Sequence, residues 1–237
     1  MPSRNIFEPE HQIFRESVRK FLAEEVTPFH DQWEKDGAVP REVWNKAAKA
    51  GLLLPTISVQ YGGSGADFRF GAILTEEIGY SSSSGLGIPL HNDIVAPYIE
   101  AYGSEELKQN WLPKMASAEA IGAICMTEPG TGSDLQGIKT SAQEDGDHFI
   151  INGQKTFITN GQNADIMIVV AKTDPKKGAR DTSLILVEST REGFSRGRNL
   201  DKIGLKAQDT SELFFQDARV PKSNLIGEIN QGFVYLM

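Results

Sequence analysis

The sequence predicts an α+β protein in two parts: an N-terminal all-helical domain over residues 1–120, then an antiparallel β-barrel or sandwich over residues 121–228. Three observations predict it. Apolar residues recur at steps of three and four up to about residue 120 and alternate with a period of two after it. No helical stretch separates the later strands, which argues against a parallel βαβ sheet. The length, 237 residues, suits two domains, and a chain of that size buries roughly 70% of its unfolded surface.

Each element has its own signal. Pro9 and Pro28 bracket a helix whose Phe14, Val18, Phe21, Leu22 and Val26 share one face. Pro40 opens a second helix carrying Val43, Trp44 and Ala47, with Gly51 at its C-terminal cap. Asp67 caps a third, with Phe70, Ile73, Leu74 and Ile78 inward and Gly79 closing it. A fourth covers roughly 91–102 and ends at Gly103, although Gly85, Gly87, Pro89 and Pro97 predict an interrupted or delayed backbone there. Ser104, followed by Glu105 and Glu106, starts a fifth bearing Leu107, Trp111 and Met115. Beyond residue 120, "DHFIINGQKTFITNG" reads as strand, Asn152-Gly153 turn, strand. "ADIMIVVAKT", "TSLILVES" and "SELFFQDARV" read as further strands.

Composition excludes several classes. Lysines and arginines number 24 against 32 acids, a net charge of −8 that argues against nucleic acid as the main partner. One cysteine forbids an internal disulfide and fits a reducing compartment. The run "IMIVVA" is too short to span a bilayer, and "MPSRNIFEPEHQ" has neither an apolar h-region nor the composition of a transit peptide. The expectation is a soluble intracellular protein.

Most motif searches end in rejection. "GTGSDL" and "GLGIPL" lack the third glycine of a dinucleotide fingerprint, and no P-loop is present. His11, His30, His91 and His148 are scattered, and with one cysteine they predict no metal site. "GFSRG" fits the nucleophile-elbow pattern with Ser195 as nucleophile, but no histidine follows it, so an exposed turn between strands is expected instead.

What stands out is "ICMTEPGTGSDLQG", Ile124 to Gly137, at the junction of the two textures, where ligand clefts are favoured. Pro129-Gly130 predicts a tight turn, Gly130 and Gly132 allow close backbone approach, and Thr127, Thr131 and Ser133 supply hydroxyls. Such a loop suits a neutral heteroaromatic ring or a phosphate. Phe157, beside Ile158 and Thr159 in "TFITNG", adds an aromatic face. An ordinary solvated connection fits the same composition.

Together "ICMTEPGTGSD" and "KTFITNG" resemble the two flavin-binding signatures of the acyl-CoA dehydrogenase family. The likeness runs along the whole chain, through "YGGSG", "GRNLDKIGLKAQDTSELFFQDARVP" and "LIGEINQGF" in family order. "GLKAQDTSELFF" and "LHNDIVAPYIEAYG" look closest to its long-chain branch. The resemblance implies FAD as cofactor and α,β-dehydrogenation of an acyl-CoA thioester. It implies a helical domain, a β-barrel and a C-terminal four-helix bundle, of which residues 229–237 would be only the beginning.

The flavin would lie along Ile124, Met126, Thr127, Gly132 and Ser133, with Phe157, Ile158 and Thr159 covering its other side. Ser133, with Ala179 and Arg180, would meet the coenzyme A arm, and Lys176 and Lys177 in "DPKKGARD" could join them, although a solvated hairpin fits that stretch as well. The helix near 91–102 would line the far end of the acyl pocket, and a looser end would admit long or branched chains. The family's catalytic glutamate falls after the point matching Met237, so no catalytic residue is assigned within the chain, and Glu128 and Asp134 are expected to fix the turn. Family habit further implies electron-transfer flavoprotein as acceptor, a homo-oligomer, and a bacterial cytoplasmic or mitochondrial matrix location. A truncated, inactive chain is expected. A non-catalytic acyl-CoA or partner-binding remnant, or a serine hydrolase using Ser195, are the alternatives.

Overall fold

The computed structural model describes residues 6–83, 85–174 and 181–237. Helices fill the first half: α1 (Pro9–Glu25), α2 (His30–Asp36), α3 (Arg41–Lys49), α4 (Phe68–Tyr80), α5 (Ile88–Leu90), α6 (Ala96–Tyr102) and α7 (Glu105–Ala116). Asp67 caps α4 by accepting from the Arg69 amide, and the Ser104 hydroxyl caps α7 by accepting from the Leu107 amide. Gly79 does not close α4, which runs through it to Tyr80. The short α2, seven residues, carries no periodic signal long enough to read from the sequence.

The interruption expected near 85–102 is present, in a specific form. Between α5 and α6, His91–Val95 form a π-helical turn. Pro97 explains it: with no N–H, it cannot donate to the Asp93 carbonyl four residues back, and its ring crowds that carbonyl. The widened turn directs both His91 and Asn92 into the core, where each is fully buried. Asn92 accepts from the Leu54 amide at 2.9 Å and donates to the Leu52 carbonyl at 2.8 Å.

Strands β1 (Gly122–Cys125), β2 (Ser141–Asp145), β3 (His148–Thr159), β4 (Ile166–Lys172), β5 (Thr182–Glu188), β6 (Phe194–Asn199), β7 (Thr210–Pro221) and β8 (Leu225–Ile226) form one sheet in the order β6-β7-β3-β2-β4-β5-β8. Most neighbours are antiparallel, as expected. The exceptions are on β4, where β1 lies parallel along one end and β2 touches the other through Ser141 and Lys172. A short helix, α8 (Gly232–Leu236), packs back on β5.

The β2–β3 hairpin does not turn at Asn152-Gly153. Asp145 pairs with His148, leaving Gly146-Asp147 as the two-residue loop, with Gly146 at φ 58°. Asn152 instead holds a bulge on β7, accepting from the Asp217 amide at 2.9 Å. Gly153 is glycine because a Cβ there would lie 2.3 Å from the Thr140 hydroxyl. Of "GFSRG", only Gly193 belongs to a turn: Phe194 to Gly197 lie in β6, an edge strand whose Ser195 is exposed.

Alternate residues of β4 and β5 point into two cores. Met167, Val169, Ile185 and Val187 fill the interior of the sheet with Phe149, Ile151, Leu213 and Phe215. Ile166, Ile168, Val170, Leu184 and Leu186 join the core of the helices. This two-sided burial explains why "IMIVVA" is apolar throughout rather than alternating. Arg41 of α3 fastens the same junction from outside, pairing with Asp165 at 2.7 Å and donating to the Ala118 and Glu119 carbonyls.

Candidate functional site

The loop and β3 are gripped together at three consecutive residues. Lys155 donates to the Met126 carbonyl at 3.1 Å and to the Glu128 carboxylate at 2.9 Å, and the Thr156 amide donates to the Thr127 carbonyl at 2.9 Å. Glu128 also accepts from the amides of Lys139 (2.6 Å) and Thr140 (2.9 Å), while its backbone exchanges two bonds with Thr131 across Pro129-Gly130. Asp134 accepts from the Gln136 amide at 3.1 Å. Both acids therefore fix the turn. Burial pushes the Glu128 carboxyl up, but the Lys155 ammonium and the amides outweigh it and hold it below its ordinary value. Burial lowers the Lys155 ammonium against the pull of Glu128.

Just past this grip the strand bulges. Lys155 faces Leu213 and Ile158 faces Ser211, so Thr156 and Phe157 together oppose one residue of β7. Phe157 takes φ 58°, a left-handed conformation that costs an aromatic residue energy, and its ring is 66% exposed. Asn160 is also left-handed, and its buried amide donates to the Gly87 and Gly122 carbonyls at 3.2 and 3.1 Å. Gly87 has no room for a Cβ against Asn160, so the loop before α5 is held to the end of β3.

Beside the loop lies a cavity of about 510 Å³. Ile124 and Met126 form one wall; Ile94, Pro97, Tyr98 and Tyr102 of the π turn and α6 form another, and Tyr235 and Leu236 of α8 close a third. Tyr235 stacks on Tyr102 at 4.2 Å. Asp93 also borders this space and is raised by burial, its bond to the Thr75 hydroxyl only partly opposing that. Cys125, between Ile124 and Met126, points the other way into the sheet interior, where burial pushes its thiol up to about 12. A larger groove of about 910 Å³ lies between α2 and residues 199–206; its lining is mainly charged and it contains none of the signature residues.

Of the residues singled out in the sequence, Ile124 and Met126 line the cavity, and Thr127 is half-buried beside them. Gly132 and Ser133 are exposed, and neither Gly130 nor Gly132 has a positive φ. Thr159 is half-buried. Ile158 departs from expectation: its side chain belongs to the sheet interior, so only its backbone can face a ligand. Ala179, Arg180, Lys176 and Lys177 lie outside the described residues. Lys155, Asp93, Tyr98 and Tyr235 went unnoticed in the sequence, and of these only Asp93, a charge in an apolar helix stretch, carried a local signal. None of the hydrogen bonds of His11, His91 and His148 reaches Ser195. Among the described residues, the ligand atoms of Glu8, Glu10 and His11 lie within 4.8 Å of one another, but His11 Nδ1 already accepts from the Glu8 amide. No helix among them is long and apolar enough to cross a membrane.

A helical domain docked on such a sheet, with the two signatures joined at their junction, defines an acyl-CoA dehydrogenase fold. Residues 8–119 match the acyl-CoA dehydrogenase N-terminal domain and residues 123–218 its middle domain, and the chain belongs to this family. It is 56% identical over 236 residues to the mitochondrial long-chain specific acyl-CoA dehydrogenase of Sus scrofa, covering 99% of this chain and 55% of that protein. The chain thus spans about half the length of such a relative. Among solved structures it resembles an acyl-CoA dehydrogenase from Geobacillus kaustophilus with a TM-score of 0.96 and 53% identity, over 99% of this chain and 62% of that one. A glutaryl-CoA dehydrogenase from Mycobacterium smegmatis in complex with FADH2 gives 0.84 and 30%, over 93% and 56%.

Proposed function

We propose that this chain forms the flavin and acyl-CoA binding portion of an FAD-dependent acyl-CoA dehydrogenase acting on long or branched acyl chains. The observation that carries the proposal is Phe157, a large aromatic ring held outside the core in a costly backbone conformation, on a strand bonded directly to Thr127. A planar heteroaromatic ring is the ligand that such a face suits. The relative solved with FADH2 supports the same cofactor.

When bound, the flavin supplies acceptance of the hydride that leaves the substrate β-carbon. The chain's own residues bind, orient and dry the site. Thr127 and neighbouring amides bond the ring's polar edge, Phe157 covers one face, and Gly132 and Ser133 offer open backbone and a hydroxyl toward the phosphates and the coenzyme A arm. Ile124, Met126 and the α6 face exclude water around the acyl chain. Glu128 is fully engaged by Lys155 and two amides, so it is not free to take a proton. We assign no general base among the described residues. Electron-transfer flavoprotein as acceptor and a homo-oligomer follow from the same family reading.

The test is titration of the purified chain with FAD, followed by flavin fluorescence. Perturbation is expected, weakened by Thr127→Ala and by Phe157→Ala, with acyl-CoA-dependent dye reduction far below the roughly 1–10³ per second of an ordinary enzyme. Tight NAD binding with no flavin effect overturns the cofactor. Ordinary turnover would show that a described residue acts as the base, and Asp93→Asn then becomes the decisive variant.

A further inference from the structure

We infer that Glu128 and Lys155 are positioning residues, a buried ion pair that sets the aromatic face of Phe157 against the wall made by Met126 and Thr127. The inference rests on the flavin reading above and concerns residues that this reading leaves without a role. Neither side chain borders the 510 Å³ cavity; Glu128 borders a separate cavity of about 260 Å³, lined also by Pro129 and Gly130, where its carboxylate is already held by Lys155 and two amides.

The geometry argues for positioning rather than for packing. The Lys155 ammonium is completely buried on a strand whose apolar neighbours fill the sheet interior. Burying a charge is expensive unless it is paired and hydrogen-bonded, and a buried ion pair is seldom a net source of stability over an apolar pair of equal size. What the pair does provide is direction. The ammonium holds two points of the loop, the Met126 carbonyl and the Glu128 carboxylate. The carboxylate passes the constraint on to the Lys139 and Thr140 amides, and Thr140 is in turn pressed against Gly153 of β3. Loop and strand are thereby fixed relative to each other on both sides of the turn. The Phe157 bulge begins immediately after this frame, at the Thr156–Thr127 bond. An apolar residue at 155 would fill the same space without choosing where residues 126–128 sit, and misplacement by about 1 Å is enough to lose an aligned contact.

A double-mutant cycle on FAD affinity tests this, using the full chain. Four proteins are compared: wild type, Phe157→Ala, Lys155→Met with Glu128→Gln, and all three together. Removing both charges avoids leaving one buried alone, so the pair variant should melt within about 5 °C of wild type. Its FAD affinity is nevertheless expected to fall about tenfold or more. Phe157→Ala should cost about tenfold in the wild-type background and less than about threefold in the pair variant, where the ring no longer sits in place. A role confined to stability would leave the cost of Phe157→Ala the same in both backgrounds, and that additive result overturns the inference. Arg15→Met, which breaks the ion pairs of α1 with Glu76 and Glu77 away from the cavity and from β3, gives the affinity loss due to destabilisation alone. A loss in the pair variant no larger than this also overturns it. Wild-type chain that shows no FAD binding at all overturns the cofactor reading itself and this inference with it.

Discussion

At the scale of single residues, the backbone of Phe157 sets a folding cost against the flavin contact proposed for its ring. A bulky residue in the left-handed region costs roughly 1–2 kcal/mol, and a side chain two-thirds exposed recovers little of that by burial. Asparagine tolerates the same backbone far better. Phe157→Asn should therefore leave the unliganded chain as stable as wild type or up to about 1 kcal/mol more stable, while weakening FAD binding. Urea unfolding without ligand, set against FAD titration, checks both halves; a variant less stable by a comparable amount would mean the ring packs against something important. Phe157 stands out in the sequence as a candidate because its aromatic ring sits among hydroxyls in a recognisable signature. Lys155 does not, because a lysine close to the turn expected at Asn152-Gly153 ordinarily reaches solvent, and only the tertiary fold shows that this one turns inward.

At the scale of elements, the π turn ties the helices to the sheet through one imidazole. Gly122 of β1 donates to His91 Nδ1 at 3.1 Å, which fixes Nε2 as the protonated nitrogen donating to the Met115 carbonyl at 3.1 Å. Burial, with a smaller contribution from the Arg41 charge and against the Met115 bond, lowers His91 from 6.5 to about 4. The unfolded chain takes up this proton near pH 6.5 and the folded chain only near pH 4, so stability falls as pH falls through that window. The group should cost about 2 kcal/mol between roughly pH 7 and pH 5, and His91→Gln should flatten that slope in denaturant titrations. An unchanged slope would mean that His91 titrates normally. Helix caps such as Asp67 and Ser104 were readable because a cap is a local event, one side chain and the next turn. The Asn152-Gly153 signal misled because the same dipeptide serves a bulge, and which use prevails is decided by β7, more than sixty residues away. The parallel seating of β1 on β4 left no local trace, since β1 is buried on both faces and carries no alternation.

At the scale of the whole molecule, the two halves read from texture are not two independent cores. Ile168 and Leu186 of the sheet belong to the same apolar cluster as Trp44 and Leu112 of the helices. Helices and sheet should accordingly unfold together in one calorimetric transition. Ile168→Ala should lower stability by about 2–5 kcal/mol and lower helical and sheet signals in parallel. Loss of the sheet signal while the helices persist would show that the junction is weaker than its packing suggests.

Cys125 gives this molecule a clock. Its thiol is sealed inside the sheet with a depressed tendency to ionise, so an aqueous thiol reagent can meet it only when β1 leaves its place. The rate at which the chain's single thiol becomes labelled is thus the rate, or the frequency, at which the junction opens. Because Ile124 and Met126 stand on either side of it and face the cavity, anything that fills the cavity will slow that clock, and the slowing will report occupancy without any dye attached to the ligand.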